Sequence, residues 1–317
     1  MQRSYSLIAP AKINLYLEII GDRPDGFHEL VMILQSIDLA DRVDIQPSDT
    51  EDIYIYCEHP QVPTDETNLA YRAARLMCDT FPEVYANYGG VGIRIQKNIP
   101  VAAGLAGGSG NAAAVLMGIN LLWNLGLTKL ELQDLAAKLG SDIPFCVTGG
   151  TAIATGRGEK LAKLRDLTDM WVVLAKHDNI SVSTAWAYKT YRQQYSDTYV
   201  SDADKVNYRN VKVHSGALVN AITNNNSREI GKAIYNDLEK AVLPQYPQIA
   251  ALKSAFASQD ILGTMMSGSG STVFALCESK EKAIAVEQQV KSQLNDPHLN
   301  FWVTKLTNNG VQILTAN

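Results

Sequence analysis

A loop rich in glycine and alanine, residues 100–111, carries the strongest chemical signal in the sequence. Its small side chains let the backbone approach a ligand closely, and the loop leads into a segment with a helical pattern. The first N–H groups of a helix lack partners within the helix and, together with the helix dipole, attract anions such as phosphate. Ser109 and Asn111 add short polar side chains where phosphate oxygens would lie. The alternative is a turn of small residues that only packs tightly.

This loop differs from two common nucleotide-binding motifs. It lacks the Gly-Lys-Ser/Thr ending of a P-loop. It also does not open a Rossmann unit with an acidic residue about twenty positions later. The sequence therefore predicts a phosphate site of another type.

Residues 12–20 alternate polar and apolar side chains, the period of a half-buried strand. The predicted core face consists of Ile13, Leu15, Leu17 and Ile19. Lys12 and Asn14 then lie side by side on the opposite face, where they could orient a substrate hydroxyl and offset negative charge. Taken alone, Lys12 could simply lie on a solvated strand face. His28, in the segment that follows this strand, could likewise have only a structural role.

Asp142 is the best candidate for an acid–base group. It follows a predicted helix end and precedes Pro144, which restricts the turn. A carboxylate there could accept a proton as a general base. The alternative is a turn aspartate that bonds its own backbone. A second loop of small residues, 266–271, is either a flexible hairpin or a second phosphate-facing loop.

The elements that must position these residues form two groups, and we predict domains at 1–165 and 166–317. Thr128 and Glu131 match a capping box, which predicts a helix from there to near Gly140. The other predicted strands of the first half are 28–46, 53–58 and 91–99, and its other helices are 68–80 and 111–124. The second half has predicted strands at 171–176, on either side of the 266–271 loop and at the chain end, and helices at 228–240, 248–258 and 280–294. The polar stretch 193–213 receives no assignment.

The composition indicates a globular protein. The 317 residues are 46% hydrophobic and 19% charged, and they suffice for two domains. The net charge of −5 argues against a nucleic-acid partner, which would favour a basic surface. Four scattered cysteines, no long apolar run and no signal-peptide pattern predict a cytoplasmic protein without a membrane partner.

The four motifs together resemble those of the GHMP kinase superfamily: an N-terminal lysine strand, a PxxxGLxGGS-type loop, an aspartate after the next helices and a late SGSG loop. The segments PAKINLYL, RPDGFHEL and LGSDIPF resemble one branch of this superfamily most closely. That branch phosphorylates the 2-hydroxyl of a cytidine diphosphate-linked methylerythritol in the non-mevalonate route to isoprenoid precursors. The resemblance covers essentially the whole chain.

The resemblance implies an α+β fold of two domains. The first would be similar to ribosomal protein S5 domain 2, and the second would be ferredoxin-like, with the active site in the cleft between them. It further implies ATP as co-substrate, Mg²⁺ as the metal ion, a small-molecule substrate and a monomer or weak homodimer.

The resemblance also implies a role for each matching residue. Asp142 would be the catalytic base, and Lys12 would lower the pKa of the reacting group and stabilise charge. Asn14, Phe27, His28 and Tyr188 would bind the substrate, with the two aromatic rings on either side of cytosine. The ATP-binding positions would be Asn68 and Lys97 near the adenine, together with Pro100, Gly104, Leu105, Ala106, Gly107, Gly108, Ser109, Gly110, Asn111, Gly268, Ser269 and Gly270. No residue is assigned as a metal ligand.

Three positions depart from the family pattern. Phe27 stands where tyrosine is more usual, which keeps the stacking face and loses a hydroxyl. Ala106 replaces a glycine of the loop, and Gly110 replaces a serine that could contact phosphate or metal. Two rival interpretations remain open: a GHMP kinase for another alcohol, and a non-catalytic nucleotide-binding module with the same fold. Competition between cytidine nucleotides and the substrate would be expected for the cytidylyl kinase and not for a kinase of another alcohol. A non-catalytic module would be expected to have lost Lys12 or Asp142, and both are present.

Overall fold

The computed structural model describes residues 4–48, 50–200, 202–214 and 216–314. Its strands are β1 (Tyr5–Asp22), β2 (His28–Pro47), β3 (Ile53–Cys57), β4 (Val91–Gln96), β5 (Thr151–Gly156), β6 (Lys160–Lys163), β7 (Trp171–His177), β8 (Tyr235–Asn236), β9 (Gly263–Met266), β10 (Val273–Cys277), β11 (Leu299–Lys305) and β12 (Gln312–Ile313). Its α-helices are α1 (Leu69–Thr80), α2 (Pro82–Tyr88), α3 (Gly107–Leu122), α4 (Lys129–Ala137), α5 (Ile143–Thr148), α6 (Thr184–Tyr195), α7 (Ala203–His214), α8 (Ala217–Thr223), α9 (Ser227–Ala233), α10 (Leu238–Val242), α11 (Pro247–Ala257) and α12 (Lys280–Leu294), with a 3₁₀ turn at Ser196–Thr198.

The larger sheet is built on the long antiparallel pair β1–β2. Its order is β12-β1-β2-β4-β3, with β5 also paired to β2, β6 to β5 and β8 to β1. Strands β8 and β12 come from the second half of the sequence, so both halves contribute backbone to this sheet. The division at 165/166 stays a prediction.

Strand β1 does not have the single core face that its alternation predicts. Ile13 and Leu15 pack in one hydrophobic cluster, whereas Leu17 and Ile19 pack in another. The register with β2 shifts between Asn14 and Tyr16, and such a bulge turns the following side chains to the other face. The expectation of one continuous core face is therefore wrong.

The smaller sheet has the antiparallel order β11-β7-β10-β9. Its strands follow one another in the sequence as β7, β9, β10 and β11, with helices between β7 and β9 and α12 between β10 and β11. This is the βαββαβ pattern of a ferredoxin-like sheet, which confirms the fold expected for the second half of the chain. No helix in the described part of the chain is both long and apolar enough to cross a membrane.

Most predicted elements are present, and the capping box of Thr128 and Glu131 forms as expected. The predicted helix at 228–240 is wrong in its middle, because β8 separates α9 from α10 there. Helix α3 begins at Gly107, four residues before the predicted start. The unassigned stretch 193–213 holds the end of α6, the 3₁₀ turn and most of α7, and residue 201 lies outside the described residues.

Candidate active site

A cleft of about 1080 Å³ lies where β1, the loop before α3, α5, α6 and the loop after β9 meet. Eighteen of the twenty site residues named from the sequence line it. Gly110 and Gly270 do not. Position 110 is buried, and a Cβ there would point at Ala9 and Pro10 of β1. The predicted ATP contacts of Gly110 and Gly270 therefore gain no support from the geometry, and the absence of a serine at 110 leaves the cleft wall unchanged.

Lys12 lines the cleft, and its side chain is almost fully buried. Its Nζ donates to Asn14 Oδ1 at 2.7 Å and to the Gly104 carbonyl at 3.2 Å. Asp142 Oδ2 lies 3.6 Å from the same Nζ. The ammonium group is thus held by strand β1, the glycine loop (residues 100–111) and a carboxylate. A ligand that binds between the glycine loop and Asp142 would lie close to this charge.

Asp142 occupies the N-cap position of α5, yet its side chain makes no capping hydrogen bond. The alternative of a turn aspartate that bonds its own backbone is therefore not what the structure has. The side chain is 32% exposed and faces the cleft. It is the only carboxylate among the described residues that line the cleft. A proton acceptor that faces the cleft and is not used to cap its helix suits a general base.

The glycine loop delivers the N-terminus of α3 to the cleft. The Gly110 N–H bonds the Ala106 carbonyl at 2.8 Å and begins the helix. The N–H groups of Gly107, Gly108 and Ser109 precede it and have no acceptor within the helix. No acidic side chain occupies the first turn. These features match the expected anion site.

Two residues explain why the loop needs small side chains. Gly104 has φ +72°, and a Cβ there would lie 2.2 Å from the Ser267 carbonyl oxygen. Ala106 has φ +56°, a left-handed conformation that favours glycine. Alanine in place of the family's glycine at position 106 therefore strains the backbone. It removes no side-chain contact, because glycine has no side chain.

The buried Asp41 was not identified from the sequence. Its Oδ1 accepts from the N–H groups of Asn98 and Ile99 at 2.8 and 2.9 Å. Its Oδ2 accepts from Asn111 Nδ2 at 2.9 Å and pairs with Lys97 Nζ. One carboxylate thus connects β2 to the loop that follows β4 and to α3. Lys97 lines the cleft as expected, but its charge is balanced inside the protein.

Asn68 also has a structural task. Its Oδ1 accepts from the Ala70 N–H at 2.9 Å and so caps α1. Its Nδ2 donates to the Pro63 carbonyl at 2.6 Å. The side chain borders the cleft, but both ends of its amide are already hydrogen-bonded within the protein. Any contact with adenine would therefore be a packing contact and not a new hydrogen bond.

The aromatic residues form the opposite end of the cleft. His28 stacks on Tyr188 with ring centroids 5.1 Å apart, and its Nδ1 lies 3.2 Å from the Tyr199 hydroxyl. Phe27 is half exposed, and the Arg157 guanidinium lies 5.0 Å from its ring centre. Burial lowers the pKa of His28, partly offset by the charge of Asp22. These rings give this end of the cleft an aromatic surface.

Sequence reasoning also missed three cations that line the cleft, namely Arg157, Lys189 and Arg192. Lys189 follows Tyr188 on α6, and Arg192 Nη2 pairs with Asp22 Oδ2 at 2.9 Å. Lys189 and Arg192 lie on α6 with Tyr188, and Arg157, in the turn after β5, lies over the Phe27 ring. A positive rim beside an aromatic surface is suited to a nucleotide that carries phosphates.

Two family models match the chain: the GHMP kinases N terminal domain at residues 68–150 and the GHMP kinases C terminal domain at residues 218–296. The 4-diphosphocytidyl-2-C-methyl-D-erythritol kinase of Gloeothece citriformis is 59% identical over 313 residues, which is 99% of each chain. The enzyme of the same name from Trichormus variabilis is 60% identical over 313 residues, 98% of this chain and 99% of its own.

Solved structures agree. A crystal structure of 4-(cytidine 5'-diphospho)-2C-methyl-D-erythritol kinase matches with a TM-score of 0.72 and 28% identity, over 95% of this chain and 98% of that one. A homoserine kinase from Cytophaga hutchinsonii matches with a TM-score of 0.77 and 20% identity, over 99% and 98% of the two chains, which shows a shared fold. The chain therefore belongs to the GHMP kinases, a family of ATP-dependent phosphotransferases, and within it to the 4-diphosphocytidyl-2-C-methyl-D-erythritol kinase family.

Proposed function

We propose that the protein transfers the γ-phosphoryl group of ATP to the 2-hydroxyl of 4-diphosphocytidyl-2-C-methyl-D-erythritol. The observation that carries the chemistry is Asp142, the one carboxylate among the described residues of the cleft lining, which lies 3.6 Å from the buried Lys12 ammonium. This pair lies between an anion-binding helix start and an aromatic surface. The relatives that share 59–60% identity over nearly the full chain support the choice of substrate.

Asp142 accepts the proton of the 2-hydroxyl as the oxygen attacks the γ-phosphorus. Lys12 lies close to both the hydroxyl and the transferred group and stabilises the charge that develops between them. Asn14 fixes the Lys12 ammonium through its Oδ1, and Met32 Sδ lies 3.5 Å from Asn14 Nδ2 and orients that amide. Phosphoryl transfer needs such positioning and charge stabilisation more than covalent chemistry.

The nucleotide phosphates of ATP bind at the start of α3. Gly107, Gly108 and Ser109 supply backbone N–H groups, and Ser109 adds its hydroxyl. Mg²⁺ is proposed as the accompanying ion, and when bound it neutralises phosphate charge. The cleft would offer it the Ser109 hydroxyl, an oxygen donor that suits a magnesium ion held mainly by the phosphates.

The cytidine diphosphate part of the substrate binds at the aromatic end. Phe27 and Tyr188 supply ring faces, and His28 supplies a ring nitrogen for the cytosine edge. Arg157, Lys189 and Arg192 supply the positive charge that a diphosphate requires. We also propose a cytoplasmic monomer or weak homodimer, in keeping with four free cysteines.

A coupled ADP-release assay tests the proposal with ATP, Mg²⁺ and one alcohol at a time. Turnover is expected with 4-diphosphocytidyl-2-C-methyl-D-erythritol and not with mevalonate or homoserine, and cytidine nucleotides should compete with the substrate. Turnover with another alcohol and none with the cytidylyl compound would keep the kinase and overturn the substrate. ATP binding without turnover on any alcohol would favour a non-catalytic module.

A further inference from the structure

Asn236 lies where the predicted helix at 228–240 is interrupted. The short strand β8 runs parallel to β1, with Tyr235 opposite Tyr16 and Asn236 opposite Leu17. The Asn236 side chain is 3% exposed. The chain thus leaves α9, crosses beside the strand that carries Lys12 and only then enters α10. The interruption places a buried amide close to the cleft floor.

Every polar group of this amide has a partner. Its Nδ2 donates to the carbonyls of Met266 and Gly268, each at 2.8 Å. Its Oδ1 accepts from the Leu238 N–H at 2.9 Å. An asparagine amide has two N–H donors, and here both hold the same three-residue backbone segment, 266–268. The amide therefore fixes the start of the late SGSG loop.

That loop segment touches the reaction centre directly. Gly268 has φ +56°, and a Cβ there would lie 3.4 Å from Asn14 Oδ1 and 3.6 Å from Lys12 Nζ. Ser267 Oγ donates to the Gly104 carbonyl at 3.1 Å, the same oxygen that accepts from Lys12 Nζ. Movement of this segment would therefore change the surroundings of Lys12 and of the glycine loop together.

The residues after Asn236 anchor it on both sides. Asp237 Oδ2 accepts from the Ile19 N–H of β1 at 2.9 Å. Glu239 Oε1 accepts from the Met266 N–H at 2.8 Å. The segment 236–239 is thus bonded to β1 through Asp237 and to the base of the late loop through Glu239. Asn236 acts from a rigid support.

We propose that Asn236 is a positioning residue for phosphoryl transfer, which sets the late loop against Lys12, Asn14 and the glycine loop. This inference rests on the proposed function. A displacement of about 1 Å in a reaction centre lowers turnover by about 100-fold. Asn236 bonds the late loop beside Lys12 and does not bond the N–H groups of α3 that are proposed to hold the phosphates. Its loss should therefore lower kcat much more than it raises the KM for ATP.

The test compares Asn236→Asp with a matched control. Asn236→Asp keeps the shape of the side chain and replaces the donor group by an oxygen that faces two carbonyls. The control is Asn120→Asp, because Asn120 is also buried, donates to the Leu127 carbonyl at 3.1 Å and does not line the cleft. Folded sites are counted by titration with a fluorescent ATP analogue, and kcat and KM are measured by ADP release per folded site.

For Asn236→Asp we expect kcat to fall about 10- to 100-fold with the KM for ATP within about threefold. Asn120→Asp should lose thermal stability and keep its kcat. If Asn236→Asp does not fold, Asn236→Ser carries the same test without the added charge. A kcat per folded site within about twofold of wild type would overturn the positioning role. Absence of turnover by the wild-type protein would overturn the proposed function and with it this inference.

Discussion

The substitution Asp142→Asn isolates the proposed base. It keeps the size and planarity of the side chain and removes its charge and its ability to accept a proton. The Lys12 ammonium keeps its bonds to Asn14 Oδ1 at 2.7 Å and to the Gly104 carbonyl at 3.2 Å. The lysine is therefore not left without partners, and the Asp142 side chain is already 32% exposed. The variant should fold and bind ATP.

The expected loss follows from the role of the group. A positioned general base contributes about 100- to 10,000-fold to a rate. At 1.36 kcal/mol for each factor of ten, this range corresponds to about 2.7–5.4 kcal/mol of transition-state stabilisation. Binding should not weaken in the same proportion, because removal of a negative charge 3.6 Å from Lys12 favours nearby phosphates. The loss should therefore appear in kcat.

Steady-state ADP release gives kcat and KM, and calorimetric titration gives the affinity for ATP and for the cytidylyl substrate. Asp134→Asn is the matched control, because Asp134 is exposed on α4 and does not line the cleft. It should behave like wild type. Turnover of Asp142→Asn within about tenfold of wild type, with binding intact, would refute the base assignment.

Other predictions concern stability. Ala106→Gly should raise the free energy of unfolding by about 0.5–1 kcal/mol, because relief of the left-handed strain exceeds the added entropy of the unfolded chain, and thermal melting checks this. Asp41→Asn should lower the free energy of unfolding by about 3–5 kcal/mol, because Lys97 would stay buried without a countercharge. A loss below about 1 kcal/mol, measured by urea unfolding, would contradict the pairing. Burial lowers the folded-state pKa of His28 and His177 from 6.5, so the unfolded chain binds protons more readily. The stability that these residues contribute should be present above pH 6.5 and decline as the pH falls below it. Replacement of both histidines by glutamine should therefore reduce the fall in melting temperature below pH 6.5.

Local sequence signals account for much of the fold. The capping box at Thr128 and the alternation of β1 depend on neighbouring residues, and both elements form. The single core face predicted for β1 is wrong, because the bulge after Asn14 depends on pairing with β2 and leaves no mark in the local alternation. The helical pattern near residues 228–240 is real on both sides of β8, and it is interrupted because β1 offers a strand edge there.

The residues of the candidate site also divide into those that a local sequence pattern reveals and those that depend on long-range contacts. The glycine loop is recognisable because its small residues are contiguous and lead into a helix. Asp41 gives no local signal, because its partner Lys97 lies 56 positions away. Asn236 likewise contacts Gly268 across 32 positions. Both residues support others through long-range contacts, which only the folded chain reveals.

Identification of the product tests the central claim most directly. The protein is incubated with ATP, Mg²⁺ and 4-diphosphocytidyl-2-C-methyl-D-erythritol, and the products are followed by phosphorus NMR and mass spectrometry. The proposed function predicts one new phosphate monoester on the 2-hydroxyl, with the cytidine diphosphate linkage intact and ADP formed in equal amount. Formation of ADP and free phosphate without a phosphorylated product, or phosphorylation at another hydroxyl, would contradict it.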